Sequence, residues 1–345
     1  MSRGGRDMTR EPSCGGGPRL FSLECGPLRV RLTNFGAAVF SVELRDASGN
    51  WEDVALTCDS LESFVKNRNY YGATVGRTAN RIRGGRAVIG GRAVQLEQNE
   101  NGNSAHGGSA GFAWRCWEAE AGADRVLFRL LSRDGEAGYP GNLEVEAEYR
   151  LDGAGALCIT HRGLCDQDTI LNLTNHTYWC LGGLGEKIYE QELFVNGRFY
   201  LETDEALLPT GQILSVTGTP FDFTVSRKIG RDILADHPAL RRDRGYDVSY
   251  VRDGRGMGLG ARLSAPGKGR TLELETTLPD VHIYTGNFLN QDPGKGRLYT
   301  PHDAICLEAQ RFPDAVNHPH FGPIFLRAGE RYHEEIRYRF LLSSE

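Results

Sequence analysis

The chain has 345 residues, a net charge of −5 and an apolar fraction of 39%, which excludes a disordered chain and leaves ample length to bury a large core. Its 44 glycines are nearly twice the usual share of about 7%, and among short alternating runs they point to turns and bulges. The arginines are spread without a basic stripe, so no nucleic-acid partner is expected.

Residues 1–18 are polar and rich in Gly and Arg, with no apolar core of a signal peptide. They are expected to form a disordered tail ahead of a single domain spanning 19–345. No apolar run approaches the length of a membrane span. The expectation is a soluble cytoplasmic protein with no membrane partner, acting as a monomer or weak dimer. Residues 28–32 alternate as a strand and 38–44 follow after the Asn34-Phe35-Gly36 break; 46–50 read as a hairpin turn. Residues 59–68 are the best early helix, capped by Thr57 or Asp59. Residues 87–94 are two short strands about Gly90-Gly91, and 125–131 are a mostly apolar strand. Leu143–Leu151 alternates over its whole length, apolar on one face and charged on the other, as an antiparallel strand with one wet face does. Strands are also expected at 157–162, 170–174, 192–201, 272–278, 281–284, 304–309 and 335–342, and a second short helix at 227–234. No βαβ rhythm appears. The pattern is all-β and favours a large antiparallel β-sandwich.

Of the eight cysteines, none forms a CxxC pair and most sit in apolar runs, as reduced core cysteines do. His318-Pro319-His320 lacks further ligands at metal-site spacing. No Gly-x-Ser-x-Gly elbow is present, and the glycine-rich run 254–260 is not followed by a helix, so it is no nucleotide loop.

Polar residues set inside apolar runs carry the chemistry. His176 ends the apolar run of 171–175, and a partly buried imidazole titrates where proton transfer is useful; a satisfied core histidine is the alternative. Tyr178 and Trp179 offer a stacking face or core bulk, and alternation sends them to opposite sides. His106 precedes Gly107-Gly108, which let a backbone approach closely; a polar turn with an exposed histidine is the alternative. Glu308 lies within Ile305-Cys306-Leu307-Glu308-Ala309, where burial is costly without a task and would raise its pKa into the range of a usable base. Arg77 and Arg81 lie four apart in an otherwise apolar segment, so one is expected to be buried and paired. Asp247 either accepts from ligand hydroxyls or closes a turn.

Together these motifs make the chain resemble the galactose mutarotase (aldose 1-epimerase) family across residues 29–340. The resemblance rests on Gly76-Arg77-Thr78-Ala79-Asn80-Arg81-Ile82, Asn103-Ser104-Ala105-His106-Gly107-Gly108, Leu173-Thr174-Asn175-His176-Thr177-Tyr178 and Gly245-Tyr246-Asp247. It continues through Tyr284-Thr285-Gly286-Asn287-Phe288, Cys306-Leu307-Glu308-Ala309-Gln310 and Pro313-Asp314-Ala315-Val316-Asn317. It implies a twisted super-sandwich with an open cleft for an aldose sugar. It implies Glu308 as general base, His176 as general acid and His106 assisting at the ring oxygen. Asn80, Arg81, Tyr178 and Asp247 would hold the hydroxyls, and His282 stands where the family has a sugar-binding glutamine. No cofactor or metal is implied, since only protons move. Ala105, Trp179, Cys180 and His282 depart from the family pattern, and the last three are expected to bear on which sugar is preferred. Two other functions stand beside this one. A hexose-phosphate 1-epimerase would need extra cations at the cleft, and a non-catalytic carbohydrate-binding or sensor protein could use the same fold.

Overall fold

In the computed structural model, which describes residues 16–46, 48–67 and 69–343, the alternating runs pair antiparallel into two large sheets and a smaller N-terminal one. The expected tail lies outside the described residues through position 15. The nine-stranded sheet runs, from edge to edge, Glu118–Ala121, Arg125–Ser132, Leu143–Leu151, Ala156–Cys165, Arg331–Leu342, Arg270–Thr276, Gly258–Ala265, Glu192–Val195 and Arg227–Lys228. The seven-stranded sheet runs Pro209–Ser215, Phe199–Thr203, Asp247–Val251, Asp280–Tyr284, Ile305–Gln310, Tyr178–Trp179 and Ala55–Leu56. Leu20–Cys25, Leu28–Thr33, Ala38–Arg45 and Trp51–Asp53 form the four-stranded sheet. No helix among the described residues is long and apolar enough to cross a membrane.

Strand parity explains the core. Leu143–Leu151 buries Leu143, Val145, Ala147, Tyr149 and Leu151, as its sequence alternation requires. On the seven-stranded sheet Val248, Tyr250, Val281, Ile283, Ile305, Leu307, Ala309 and Trp179 join one apolar cluster with Leu263, Leu272, Leu274, Tyr338 and Phe340 of the nine-stranded sheet. The Tyr338 hydroxyl, buried between the sheets, donates to the Leu307 carbonyl at 2.9 Å, so its polar end is satisfied.

Four expectations about elements need correction. Residues 192–201 are two strands in different sheets. At the break, the Asn196 amide donates to the Leu259 carbonyl at 2.8 Å, and a Cβ on Gly197 would meet the Val251 carbonyl oxygen at 2.6 Å. Residues 170–174 are likewise split between Thr169–Ile170 and Thr174–Asn175. Residues 227–234 are not an α-helix: Arg227–Lys228 pairs with Glu192 and Leu193, and only the 3-10 turn Ile229–Arg231 follows. Cross-strand pairing there overrides local helix propensity. The second helix is Pro238–Asp243, announced by Pro238 at its first position and closed by Arg244 in the left-handed region. The first helix, Leu61–Lys66, is capped by Ser60 in a capping box with Ser63, not by Thr57 or Asp59.

Candidate active site

The face of the seven-stranded sheet that turns away from the core carries the polar residues. Asp247 and Ser249 project from one strand, Asp280, His282 and Tyr284 from the next, and Cys306, Glu308 and Gln310 from the third. In register, His282 stands opposite both Ser249 and Glu308, and Cys306 stands opposite Tyr178. Residues from four strands thereby share one surface.

His176 lies outside the seven-stranded sheet; the short pairing of Thr174–Asn175 with Thr74–Val75 and a set of buried side-chain bonds position it. Asn172 exchanges two bonds with the Arg311 backbone at 2.7 and 2.9 Å, and the Thr174 hydroxyl donates to the Ala309 carbonyl at 2.7 Å. The Asn175 amide donates to the Gly72 carbonyl at 2.8 Å, and backbone bonds tie His176 itself to Gly72 and Ala73. The polar residues of 172–177 are thus the mortar that stitches this irregular segment to the Glu308 strand and to residues 72–73. Asp247 is anchored in a similar way. Thr285 Oγ1 accepts from the Tyr246 N–H at 2.9 Å and the Asn287 amide donates to the Tyr246 carbonyl at 3.0 Å. A Cβ on Gly245, at φ +145°, would strike Asn287 and Thr285, so glycine is required there.

His106 is held by the loop after Asn80. The Asn80 N–H donates to His106 Nδ1 at 3.4 Å, and the His106 N–H donates to the Asn80 carbonyl at 3.0 Å. A backbone N–H cannot accept, so Nδ1 is the acceptor and Nε2 carries the proton. The close approach depends on Gly107, at φ +83°, whose Cβ would meet the Gly76 carbonyl oxygen at 1.8 Å. The His106 and His176 rings lie 5.7 Å apart, with Tyr70 against both at 4.7 and 5.9 Å. Tyr178 stacks on His176 at 5.1 Å.

His176 Nε2 lies 3.5 Å from Glu308 Oε1. Glu308 is only 2% exposed, and burial pushes its carboxyl up to about 8. Burial pushes His176 down to about 4, and burial with the nearby His176 and Arg81 holds His106 well below its ordinary value. Asp247 behaves differently. Burial acts to raise it, but the bond to His282 and the charges of His282 and Arg81 prevail and hold it below the usual carboxylate range. His282 is correspondingly raised despite burial, through Asp247 at 2.9 Å.

All eight residues expected at the site lie in this region: Asn80, Arg81, Asp247 and His282 border one recess with Ser249, and His106, His176, Tyr178 and Glu308 adjoin it. Arg81 is paired with Glu100 at 2.6 Å. Arg77 is more deeply buried but takes no carboxylate; its guanidinium donates to Ser132, Arg133, Pro140 and Gly141, away from the cleft. Trp179 and Cys180 do not bear on the sugar as expected. Trp179 packs into the core at 4.9 Å from Tyr338, and the Cys180 thiol donates to the Gly183 carbonyl at 3.0 Å. Sequence reasoning missed Cys306, whose Sγ lies 3.5 Å from His176 Nδ1, and Ser249, whose hydroxyl lies 3.0 Å from His282 Nδ1. Each is two residues from an expected site residue on the same strand, and strand parity would have found both.

His176, Cys306 and Glu308 offer nitrogen, sulfur and oxygen atoms within 4.8 Å of one another. The imidazole faces Cys306 with one nitrogen and Glu308 with the other. A single ion takes only one of these nitrogens, so the arrangement suits proton relay better than chelation. A cavity of about 740 Å³ opens elsewhere, on the solvent side of the nine-stranded sheet between Arg129, Glu146 and Arg162. These charges already pair with one another, so it presents no comparable chemistry.

The aldose 1-epimerase family profile matches residues 19–339. The chain is 40% identical to galactose mutarotase of Bos taurus over 324 residues, covering 93% of each chain. It is 34% identical to aldose 1-epimerase of Escherichia coli K12 over 318 residues, covering 90% of this chain and 92% of that one. The crystal structure of an aldose epimerase homologue from C. elegans superposes with a TM-score of 0.86 at 28% identity, covering 95% of this chain and 100% of that one.

Proposed function

The chain belongs to the aldose 1-epimerase family and is an isomerase, and on that premise we propose that it interconverts the α and β anomers of a free hexose, galactose or glucose, by acid–base ring opening. The observation that carries this is the pairing of a raised carboxyl and a lowered imidazole, Glu308 and His176, 3.5 Å apart on one polar face. Glu308 takes the proton from the anomeric hydroxyl while His176 gives one to the ring oxygen. The bond between C1 and the ring oxygen breaks and leaves the open aldehyde. Rotation about C1–C2 turns the other carbonyl face, and reclosure returns both protons with the roles reversed. One proton leaves the sugar and one enters it, so the step balances without a cofactor. The inverted proton affinities fit it: with one proton on the pair, its two placements are the two ends of the same transfer. His106, neutral with Nε2–H available, supports the ring oxygen. Asn80, Arg81 and Asp247 hold hydroxyls, and Tyr178 backs the His176 ring.

Two observations favour a free sugar over a phosphorylated one. Arg81 is already matched by Glu100, and His282 by Asp247, so neither cation is unsatisfied. We further infer a cytoplasmic monomer or weak dimer, which fractionation and gel filtration check. Polarimetry of freshly dissolved α-D-glucose and α-D-galactose tests the activity. Equilibration no faster than in buffer, with Glu308→Gln indistinguishable from wild type, would remove it. Turnover of hexose phosphate in preference to hexose would replace it by the phosphate-specific alternative, and sugar binding without anomer exchange by the non-catalytic one.

A further inference from the structure

Glu308 does not face the cleft alone. Its direct cross-strand neighbour is His282, and His282 stands in turn beside Ser249. Both ring nitrogens of His282 are taken, Nε2 by Asp247 Oδ1 at 2.9 Å and Nδ1 by Ser249 Oγ at 3.0 Å. The Asp247 carboxylate only accepts, so Nε2 carries a proton, and the Ser249 oxygen can accept from Nδ1 as well, so the two partners accommodate a doubly protonated imidazole that donates from both sides. In that form no N–H is left for a sugar hydroxyl, so His282 does not bind the sugar through its ring nitrogens as a glutamine in its place would.

We propose that His282 is a positioning residue, an imidazolium clamped between Asp247 and Ser249 that holds its positive charge across the strand from Glu308 and keeps that buried carboxyl usable as a base. This rests on the assignment of Glu308 as the base. The groups that face Glu308 come from every neighbouring element. Cys306 lies on its own strand, Asp280, His282 and Tyr284 on the adjacent strand, and Asp247 on the strand beyond. His176 and Tyr178 flank it on the other side, and Arg81 approaches from its own segment. Burial raises the carboxyl most, and Asp247 and Asp280 raise it further; His282 is the largest influence in the opposite direction, ahead of Arg81. Arg81 is shared with Glu100 and His282 with Asp247, but of the two only His282 stands directly opposite Glu308 across the strand. Removing it leaves burial and two aspartates with little opposition, so Glu308 keeps its proton to higher pH.

The experiment combines His282→Gln kinetics with nitrogen NMR of histidine-labelled wild-type protein. Glutamine retains an amide N–H for Asp247 but no charge. The alkaline limb of kcat/KM should move up by about one pH unit or more. At neutral pH kcat should fall about tenfold, with a smaller change in KM. His282→Lys, which restores a cation, should bring the limb back toward wild type. In the wild-type protein both His282 ring nitrogens should give the shifts of a doubly protonated imidazole at neutral pH. An alkaline limb that stays in place in His282→Gln, or a singly protonated His282, overturns the proposal. Wild-type protein that does not accelerate mutarotation removes the parent assignment instead, and the NMR result then still decides the charge on His282.

Discussion

The proton inventory of His176 and Glu308 sets the shape of the pH profile. Burial separates the two groups in an inverted order, with His176 at about 4 and Glu308 at about 8. Between those values the pair holds a single exchangeable proton. Below about 4 a second proton binds and no base remains; above about 8 the last one leaves and no acid remains. The plateau of kcat/KM should therefore span about four pH units. The same two side chains at their ordinary values, 4.5 and 6.5, would give a plateau of only about two units. Beyond either limb the rate should fall about tenfold per pH unit. Polarimetry of α-D-galactose at constant ionic strength, with the buffer rate subtracted at each pH, reads the profile. A plateau that ends on the alkaline side near 6.5, the ordinary histidine value, would show that burial does not control the pair and would refute the reasoning.

Glu308→Gln should lower kcat by roughly 10²–10⁴-fold yet leave the chain more stable than wild type at pH 8. The folded state holds the Glu308 proton up to about 8 while the unfolded chain releases it near 4.5, so wild-type stability falls as pH rises through that interval. A difference in Tm that is the same at pH 5 and pH 8 would contradict this. Arg77→Ala should cost about 2 kcal/mol or more in urea unfolding, because it strands the buried carbonyls of Ser132 and Gly141 at about 1–3 kcal/mol each and removes the part-buried bonds to Arg133 and Pro140 as well. A loss below about 1 kcal/mol would show that water replaces the guanidinium. His161 is fully buried with both ring nitrogens unbonded, and burial holds it at about 4. His161→Leu should stabilise by about 1–2 kcal/mol at pH 7. The gain should grow as pH falls from 6.5 to about 4, where only the unfolded wild-type chain takes up the proton. Thermal melts across that range check the trend.

The strands were legible because their signal is local. Alternation in Leu143–Leu151 is a property of neighbouring residues, and the strand and its buried face follow from it. Residues 192–201 read as one strand because nothing local says that the chain changes sheets at Asn196-Gly197. The helix expected at 227–234 failed for the same reason: the partner that draws Arg227–Lys228 into a strand is Glu192–Val195, over thirty residues earlier. At the site, parity could separate Tyr178 from Trp179, but family departures at Trp179 and Cys180 looked functional until both side chains were found in the core.

By itself the sequence determined which residues are candidates for the chemistry, and strand parity within Ile305–Gln310 puts Cys306 and Glu308 on one face with Ile305 and Leu307 on the other. Only the tertiary structure decided which groups meet. The register among strands at 178, 247, 282 and 308 is set by segments far apart in the chain. The charge on Glu308, His176 and His282 follows from that register, because a buried group takes its proton affinity from its desolvation and its neighbours. A neutral His176 beside a raised Glu308, with a charged His282 across the strand, is therefore a property of the folded sheet that no single stretch of the sequence contains.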